Sequence, residues 1–267
     1  MYRLLKIDFK KYFYSKVFWI MLGIYFALLL MVFFGVEKFV NQALENASSS
    51  APVTMPSFSL YAFPYVWQNL AFLAGFLKIF LALIVLFFIT NEFTNKTIRQ
   101  NVMNGMSRNQ FILSKLLFIL LLSFFSTIIL FLSGITLGML NTEEVTSVLI
   151  LQKAEFIPAY FLELLTFSSM AMLIGFLVKR SGLAIGALAL YYYILEYIIA
   201  FSLPESAAKY LPVEAMGNLI DIPNSALMKM VGVDFRENVS IPDAITCLVY
   251  CCIFIGLIFL LYKRKDL

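Results

Sequence analysis

The sequence contains no histidine among its 267 residues, and charged residues make up only 13% of it. Without an imidazole, the chain cannot form a histidine-based catalytic triad, a histidine-ligated metal site or a histidine proton relay. Soluble domains carry about 25% charged residues. The low charge therefore also excludes an ordinary soluble domain.

Nucleotide-binding motifs are absent as well. The sequence has neither G-x-x-x-x-G-K-[ST] nor a glycine-rich fingerprint, and no polar segment is long enough to form a nucleotide-binding domain. It has no Ser-His or Cys-His constellation. The three cysteines, Cys247, Cys251 and Cys252, lie in the last apolar run, where we expect buried packing, with lipidation or redox sensing as alternatives. We therefore expect no catalytic residue, no metal site and no cofactor on this chain, which is not an enzyme by itself.

Hydrophobic residues, by contrast, are abundant. They make up 62% of the chain, and the mean hydropathy is +0.90, values typical of an integral membrane protein. Six apolar runs are long enough to cross roughly 30 Å of hydrocarbon, at residues 17–36, 66–90, 113–138, 156–178, 181–203 and 244–262. The predicted fold is an all-α polytopic membrane protein with six transmembrane helices in a single transmembrane domain, residues 1–267.

The basic residues indicate the orientation of these spans. Six spans place both termini on one side, and cytoplasmic termini would put fourteen of the twenty Lys and Arg residues inside: Arg3, Lys6, Lys10, Lys11, Lys16, Lys96, Arg99, Arg108, Lys115, Lys179, Arg180, Lys263, Arg264 and Lys265. This distribution follows the positive-inside rule. We therefore expect both termini to be cytoplasmic. Because no basic stripe is left over, we expect no nucleic-acid partner.

Two regions outside the spans have helical character. Residues 1–16 interleave basic and apolar side chains, as in an amphipathic interfacial helix bound to membrane lipid. The connection over residues 204–243 contains two stretches, 205–211 and 224–231, that prolines or a glycine bound on each side. We expect short re-entrant or interfacial helices there, before the last span.

The polar block at residues 91–117 separates the second and third apolar runs. Ile98, Val102 and Met106 fall on one helical face, which predicts a surface helix over residues 95–106. Ser107 and Gln110 then form a capping box that begins the next helix. A surface helix between two spans indicates a docking element for a partner outside the membrane.

Three charged residues fall inside predicted spans: Lys78, Glu163 and Glu196. Each costs about 2.5–3.5 kcal/mol at a helix centre on insertion scales, so we expect them to face protein or water and to pair. Lys78 could pair with either glutamate. The set is either a polar patch on a transport path or a structural ion pair.

The fifth span carries two further features. Tyr192 and Tyr193 belong to an aromatic cluster that could line a path for an amphipathic substrate or pack between helices. Gly182 and Gly186 form a G-x-x-x-G pair, which favours close helix packing within the chain or between two copies.

These features together resemble the type-2 ABC exporter permeases of bacteria. The residues that carry the resemblance are Asn91-Glu92 at the end of the second span, Thr97-x-Arg99, Ser107-Arg108, and Lys115 in the third span. The resemblance implies a cytoplasmic coupling helix between spans 2 and 3 that contacts an ATPase subunit. The residues expected to take part in this coupling are Glu92, Lys96, Thr97, Arg99, Gln100, Asn104, Ser107 and Arg108.

The resemblance also implies partners and a location. It predicts a transporter in the bacterial cytoplasmic membrane, built from two permease chains and two ATPase subunits, with ATP and Mg bound by the ATPase subunits. A hydrophobic peptide, a lipid or a drug would suit the aromatic interior as substrate. Two alternatives stay open: a secondary transporter or channel that uses Lys78, Glu163 and Glu196 directly, and a membrane sensor or immunity protein that moves nothing.

Overall fold

The computed structural model describes residues 12–50, 60–95, 107–223 and 236–264, and within these ranges it is helical and contains no β-strand. We number the helices α1 Lys16–Ser50, α2 Val66–Gly75, α3 Lys78–Thr94, α4 Arg108–Leu140, α5 Ser147–Leu151, α6 Phe156–Val178, α7 Ser181–Ser202, α8 Glu205–Ala208, α9 Pro212–Gly217 and α10 Ile241–Arg264. Five spans in this part of the chain are long and apolar enough to cross a membrane, and the bent pair α2 and α3 would make a sixth. The chain is therefore a helical membrane protein.

The centre of the helix bundle is α6. It packs against α3, α4 and α10, and 61% of the most apolar stretch of the α5–α6 segment is buried, against 17% for α7. Small residues allow this close packing. At Gly175, for example, a Cβ atom would lie 3.2 Å from Ile89 Cγ2 of α3.

The second apolar run is not the continuous helix that the sequence predicted over residues 66–90. It is broken at Phe76 and Leu77, and α2 and α3 meet at 46°. The first half is fixed by polar contacts outside the helix, since Gln68 donates to the backbone carbonyls of Asp221 and Arg236. The break lies against α6, where a Cβ on Gly75 would be 3.4 Å from the carboxylate of Glu163.

The first helix is longer than the predicted span of residues 17–36. It continues to Ser50 through Glu37, Lys38 and Gln42, which are good helix formers, and no proline or glycine occurs after residue 36 of the helix. Glu37 also accepts a hydrogen bond from the backbone N–H of Leu60, at 3.2 Å. The good helix formers after residue 36 therefore extend the helix beyond the predicted end of the span.

The capping box predicted at the start of the third span is confirmed. The Ser107 hydroxyl accepts from the backbone N–H of Gln110, and the Gln110 side chain accepts from the backbone N–H of Ser107. The central helix of the bundle, α6, ends at Val178. Lys179 follows it in a left-handed conformation, with φ 59°, just before α7 begins.

Two short helices, α8 and α9, precede α10, in agreement with the expected short helices before the last span. The helix predicted at residues 205–211 ends at Ala208, and Pro212 begins the next one as its first residue. The helix predicted at residues 224–231 and residues 1–11 of the predicted amino-terminal helix lie outside the described residues.

Candidate functional site

A buried ion pair joins the end of α3 to the start of α4. Lys115 Nζ lies 2.7 Å from Glu92 Oε1, and both side chains are completely buried. The Tyr12 hydroxyl accepts a hydrogen bond from Lys115 at 2.7 Å and donates to Glu92 Oε1 at 3.3 Å. We call Tyr12, Glu92 and Lys115 the basal cluster.

Aromatic rings enclose the basal cluster. The Lys115 ammonium lies 4.9 Å from the ring centroid of Phe111 and 5.2 Å from that of Tyr12, distances that allow cation–π attraction. Tyr262 of α10 stacks on Phe111, with the ring centroids 5.7 Å apart. Arg108 donates to the backbone carbonyl of Tyr262 at 3.4 Å. The cluster thus links the segment before α1 to α3 and α4, and α10 packs beside it.

The basal cluster includes one of the residues expected to contact an ATPase. Glu92 is not on the surface; its carboxylate faces the interior of the bundle. Ser107 is exposed and caps α4, and Arg108 is half-buried against α10. The other expected coupling residues, Lys96, Thr97, Arg99, Gln100 and Asn104, lie outside the described residues.

The role of Tyr12 in the basal cluster was missed by the sequence reasoning, which assigned Tyr12 to an interfacial helix. The sequence does hold one signal for Lys115. Helix α4 begins at Arg108, so Lys115 lies two turns inside a helix that carries no charged residue from Leu116 onward. A lysine at that depth needs an acidic partner.

A second buried ion pair lies deeper in the bundle. Lys78 Nζ, at the start of α3, is 2.6 Å from Glu163 Oε1 of α6. The ammonium also lies 5.6 Å from the ring centroid of Phe167 and 5.7 Å from that of Tyr192. Glu163 Oε2 is buried and has no hydrogen-bond partner among the described residues. We call Lys78 and Glu163 the central pair.

Three hydroxyl groups form a network near the central pair. Ser126 Oγ lies 2.7 Å from the Tyr25 hydroxyl and 2.9 Å from that of Tyr160, and all three side chains are buried. Tyr160 and Glu163 are three residues apart and therefore share a face of α6. The sequence reasoning did not identify this network, because its members are separated by up to 135 residues.

Glu196 does not join the central pair. Its Oε1 accepts the backbone N–H groups of Val213 and Glu214, at 2.6 and 2.7 Å, and so caps the start of α9. A π-helical turn at Tyr191–Leu195 immediately precedes Glu196. Of the two tyrosines expected on a substrate path, Tyr192 is half-buried beside Lys78, and Tyr193 is 57% exposed.

An exposed ion network holds the opposite end of the bundle. Arg236 Nη1 lies 2.6 Å from Asp243 Oδ2 of α10, and Arg236 Nε lies 3.2 Å from Asp221 Oδ2. The hydrogen bond to Asp243 raises the pKa of the Arg236 guanidinium, so the group stays charged at every physiological pH. This network ties the connection after α9 to the first turn of α10.

The described residues contain no group of three or more cysteine and acidic side chains that could hold a metal ion. Comparison with curated proteins finds no match. Residues 52–267 match a family described as "Protein of unknown function (DUF2705)". Because this match covers most of the sequence, the chain belongs to the DUF2705 family.

Proposed function

We propose that this chain is the permease subunit of an ATP-driven ABC exporter in a bacterial cytoplasmic membrane. It would move a hydrophobic or amphipathic substrate with energy from a separate ATPase subunit that binds ATP and Mg. A second copy or a related permease would complete the transporter. The motif residues between Asn91 and Lys115 and the absence of a nucleotide motif in the sequence support this proposal.

The observation that carries the proposal is the position of the basal cluster. Glu92 and Lys115 lie in the two helices that residues 96–106 connect in the sequence, and they form a completely buried pair. A push on the connecting segment would reach both α3 and α4 at once, because the pair and the Tyr12 hydroxyl hold the helix ends together. This is the mechanical requirement for a coupling element.

In this proposal the coupling residues have three different roles. Lys96, Arg99 and Arg108 contact the ATPase, and Ser107 keeps the start of α4 folded through its capping box. Glu92 acts from inside the bundle as a positioning residue, since it is completely buried. The proposal places these residues on the cytoplasmic side of the membrane, on the basis of the positive-inside distribution of Lys and Arg.

The test is to purify the tagged chain from its native membrane and to identify any Walker-motif ATPase that accompanies it. We expect the double variant Arg99→Ala/Arg108→Ala to lose both this ATPase and ATP-dependent export of a fluorescent hydrophobic peptide. The matched control is Lys209→Ala, an exposed basic residue in the connection before α9, which should keep both. If the double variant retains the ATPase and the export, the coupling assignment is wrong.

One observation favours a second candidate, a secondary transporter. The buried Glu163 Oε2 without a described partner is an acceptor that a proton or a cation could use. A secondary transporter would move substrate when reconstituted alone with an ion gradient, and Glu163→Gln would abolish this movement. Glu196 would take no part in such a secondary transporter, because its carboxylate caps α9.

A further inference from the structure

An apolar groove of about 310 Å³ lies between the first turns of α1 and the middle of α4. This volume falls within the range of roughly 300–1,000 Å³ that is typical of ligand sites. The lining side chains are all apolar or aromatic, and they include Phe13, Trp19, Leu22, Phe26, Leu121 and Phe125. Tyr12 contributes its ring only, because its hydroxyl points to Glu92 and Lys115.

The groove is open to the surroundings of the bundle. Trp19 is 49% exposed and Phe125 is 53% exposed, although both line it. Its width is fixed by the helices, since Phe18 and Phe118 pack against Tyr12 at the floor. A flexible apolar chain of small cross-section fits such a slot, because it needs no hydrogen-bond partner from the walls.

An exposed lysine, Lys16, lies at the start of α1, next to the groove. Lys16 precedes Trp19 by three residues, so the two side chains are neighbours on the surface of α1, and Trp19 lines the groove. Lys16 has no acidic partner in the described part of the chain. No aspartate or glutamate occurs in the sequence from Tyr12 to Val36 or from Arg108 to Thr142, the stretches that form both walls.

We infer that this groove binds one acyl chain of an anionic membrane phospholipid, with the headgroup phosphate paired to Lys16. The apolar lining recognises the chain, and the unpartnered lysine at its end selects the negative headgroup. The lipid would fill the space between α1 and α4 beside the basal cluster. This inference is independent of the proposed exporter function.

Tryptophan fluorescence can test the inference directly. Trp19 and Trp67 are the only two tryptophans, and Trp67 is buried at 1% exposure. Trp19 alone should therefore respond to brominated lipids, which quench on contact. In vesicles of brominated phosphatidylglycerol mixed with unlabelled phosphatidylcholine, and in the reverse mixture, we expect Trp19 to prefer the anionic lipid about fivefold, the gain from one lysine near an anionic surface.

Two variants with matched controls separate the groove from the general lipid surface. Lys16→Gln should remove the preference, whereas Lys38→Gln should keep it. Leu121→Phe, which fills part of the groove, should reduce quenching by the anionic lipid, whereas Leu132→Phe on a 55% exposed position of α4 should not. Equal quenching by both lipids, or no effect of Lys16→Gln or of Leu121→Phe, would overturn the inference.

A protein occupant would give a different result. If a helix of a second copy covers the groove, Trp19 would be quenched less by both lipids than the tryptophan of the control variant Trp19→Phe/Leu132→Trp. That result would also overturn the lipid assignment. It would have no bearing on the coupling proposal, because the ATPase test depends only on residues 96–108.

Discussion

The basal cluster and the central pair are both buried lysine–glutamate pairs, yet they are satisfied differently. In the basal cluster the Lys115 ammonium has two oxygen partners, Glu92 and Tyr12, from two other segments of the chain. In the central pair the Lys78 ammonium has one oxygen partner, Glu163, from one other helix. The basal cluster is thus a fixed joint among three segments of the chain, whereas the central pair joins two helices.

The comparison also shows why an ion pair is not in itself a measure of stability. Replacing a whole buried pair with apolar residues is often neutral, whereas removing one partner leaves an uncompensated buried charge and costs about 3–5 kcal/mol.

The largest effect is expected for Lys115→Met. It leaves Glu92 charged and completely buried, so we expect a loss of about 3–5 kcal/mol in the free energy of unfolding. Thermal unfolding in detergent, followed by tryptophan fluorescence, would measure it. The double variant Glu92→Gln/Lys115→Met should recover most of the loss, and a single variant as stable as the wild type would contradict the fixed joint.

Lys78→Met should destabilise less, near the lower end of the same range of about 3–5 kcal/mol. The reason is that this ammonium gives up one oxygen partner where Lys115 gives up two. The same thermal unfolding assay applies. The matched control is Lys209→Met, an exposed lysine in the connection before α9, which should cost no more than about 0.5 kcal/mol.

If Lys78→Met lowers the free energy of unfolding more than Lys115→Met does, the ranking of the two ion pairs is wrong. The central pair would then be the main structural joint of the bundle.

Tyr12→Phe and Tyr192→Phe compare the aromatic neighbours of the two lysines. Tyr12→Phe removes an acceptor from buried Lys115, and we expect a loss of about 1–3 kcal/mol. Tyr192→Phe keeps the ring that faces Lys78 at 5.7 Å, so its melting temperature should not change. Equal effects at both positions would show that the Tyr12 hydroxyl contributes nothing specific to the basal cluster.

Gly75→Ala should have the smallest effect, within about 1 kcal/mol. A Cβ there would lie 3.4 Å from Glu163 Oε1, which is ordinary contact distance. Gly134→Ala is the control, since its Cβ would lie 2.4 Å from the ring of Trp67, and such overpacking costs about 1–3 kcal/mol. Melting temperatures of the two variants give the comparison, and a large loss for Gly75→Ala would mean that the central pair tolerates no displacement.

Much of the helix pattern could be predicted from the sequence. The run at residues 156–178 coincides with α6, and the capping box at Ser107 begins α4. The break at Phe76 and Leu77 could not be predicted, because residues 66–90 are apolar apart from Gln68, Asn69, Lys78 and Thr90, and no proline marks the bend. It depends on contacts of Gln68 with residues more than 150 positions away.

The sequence predicted which charged residues need partners in the membrane, but it did not predict which residues pair with one another. The sequence marked Lys78, Glu163 and Glu196 as buried charges that need partners, since water is absent from the hydrocarbon region. It could not choose between the two glutamates for Lys78. In the structure Glu163 takes that place and Glu196 caps α9, because α9 folds back to present its free N–H groups to Glu196.

The sequence alone determined that the chain is a membrane protein, where its apolar helices lie, and where helix α4 starts. These properties depend on neighbouring residues, through hydropathy, helical periodicity and capping. The tertiary structure decided which lysine meets which glutamate and that Glu92 faces inward beside Tyr12. Those contacts join residues 80 and 85 positions apart, and they follow from the packing of whole helices around α6, which no local pattern encodes.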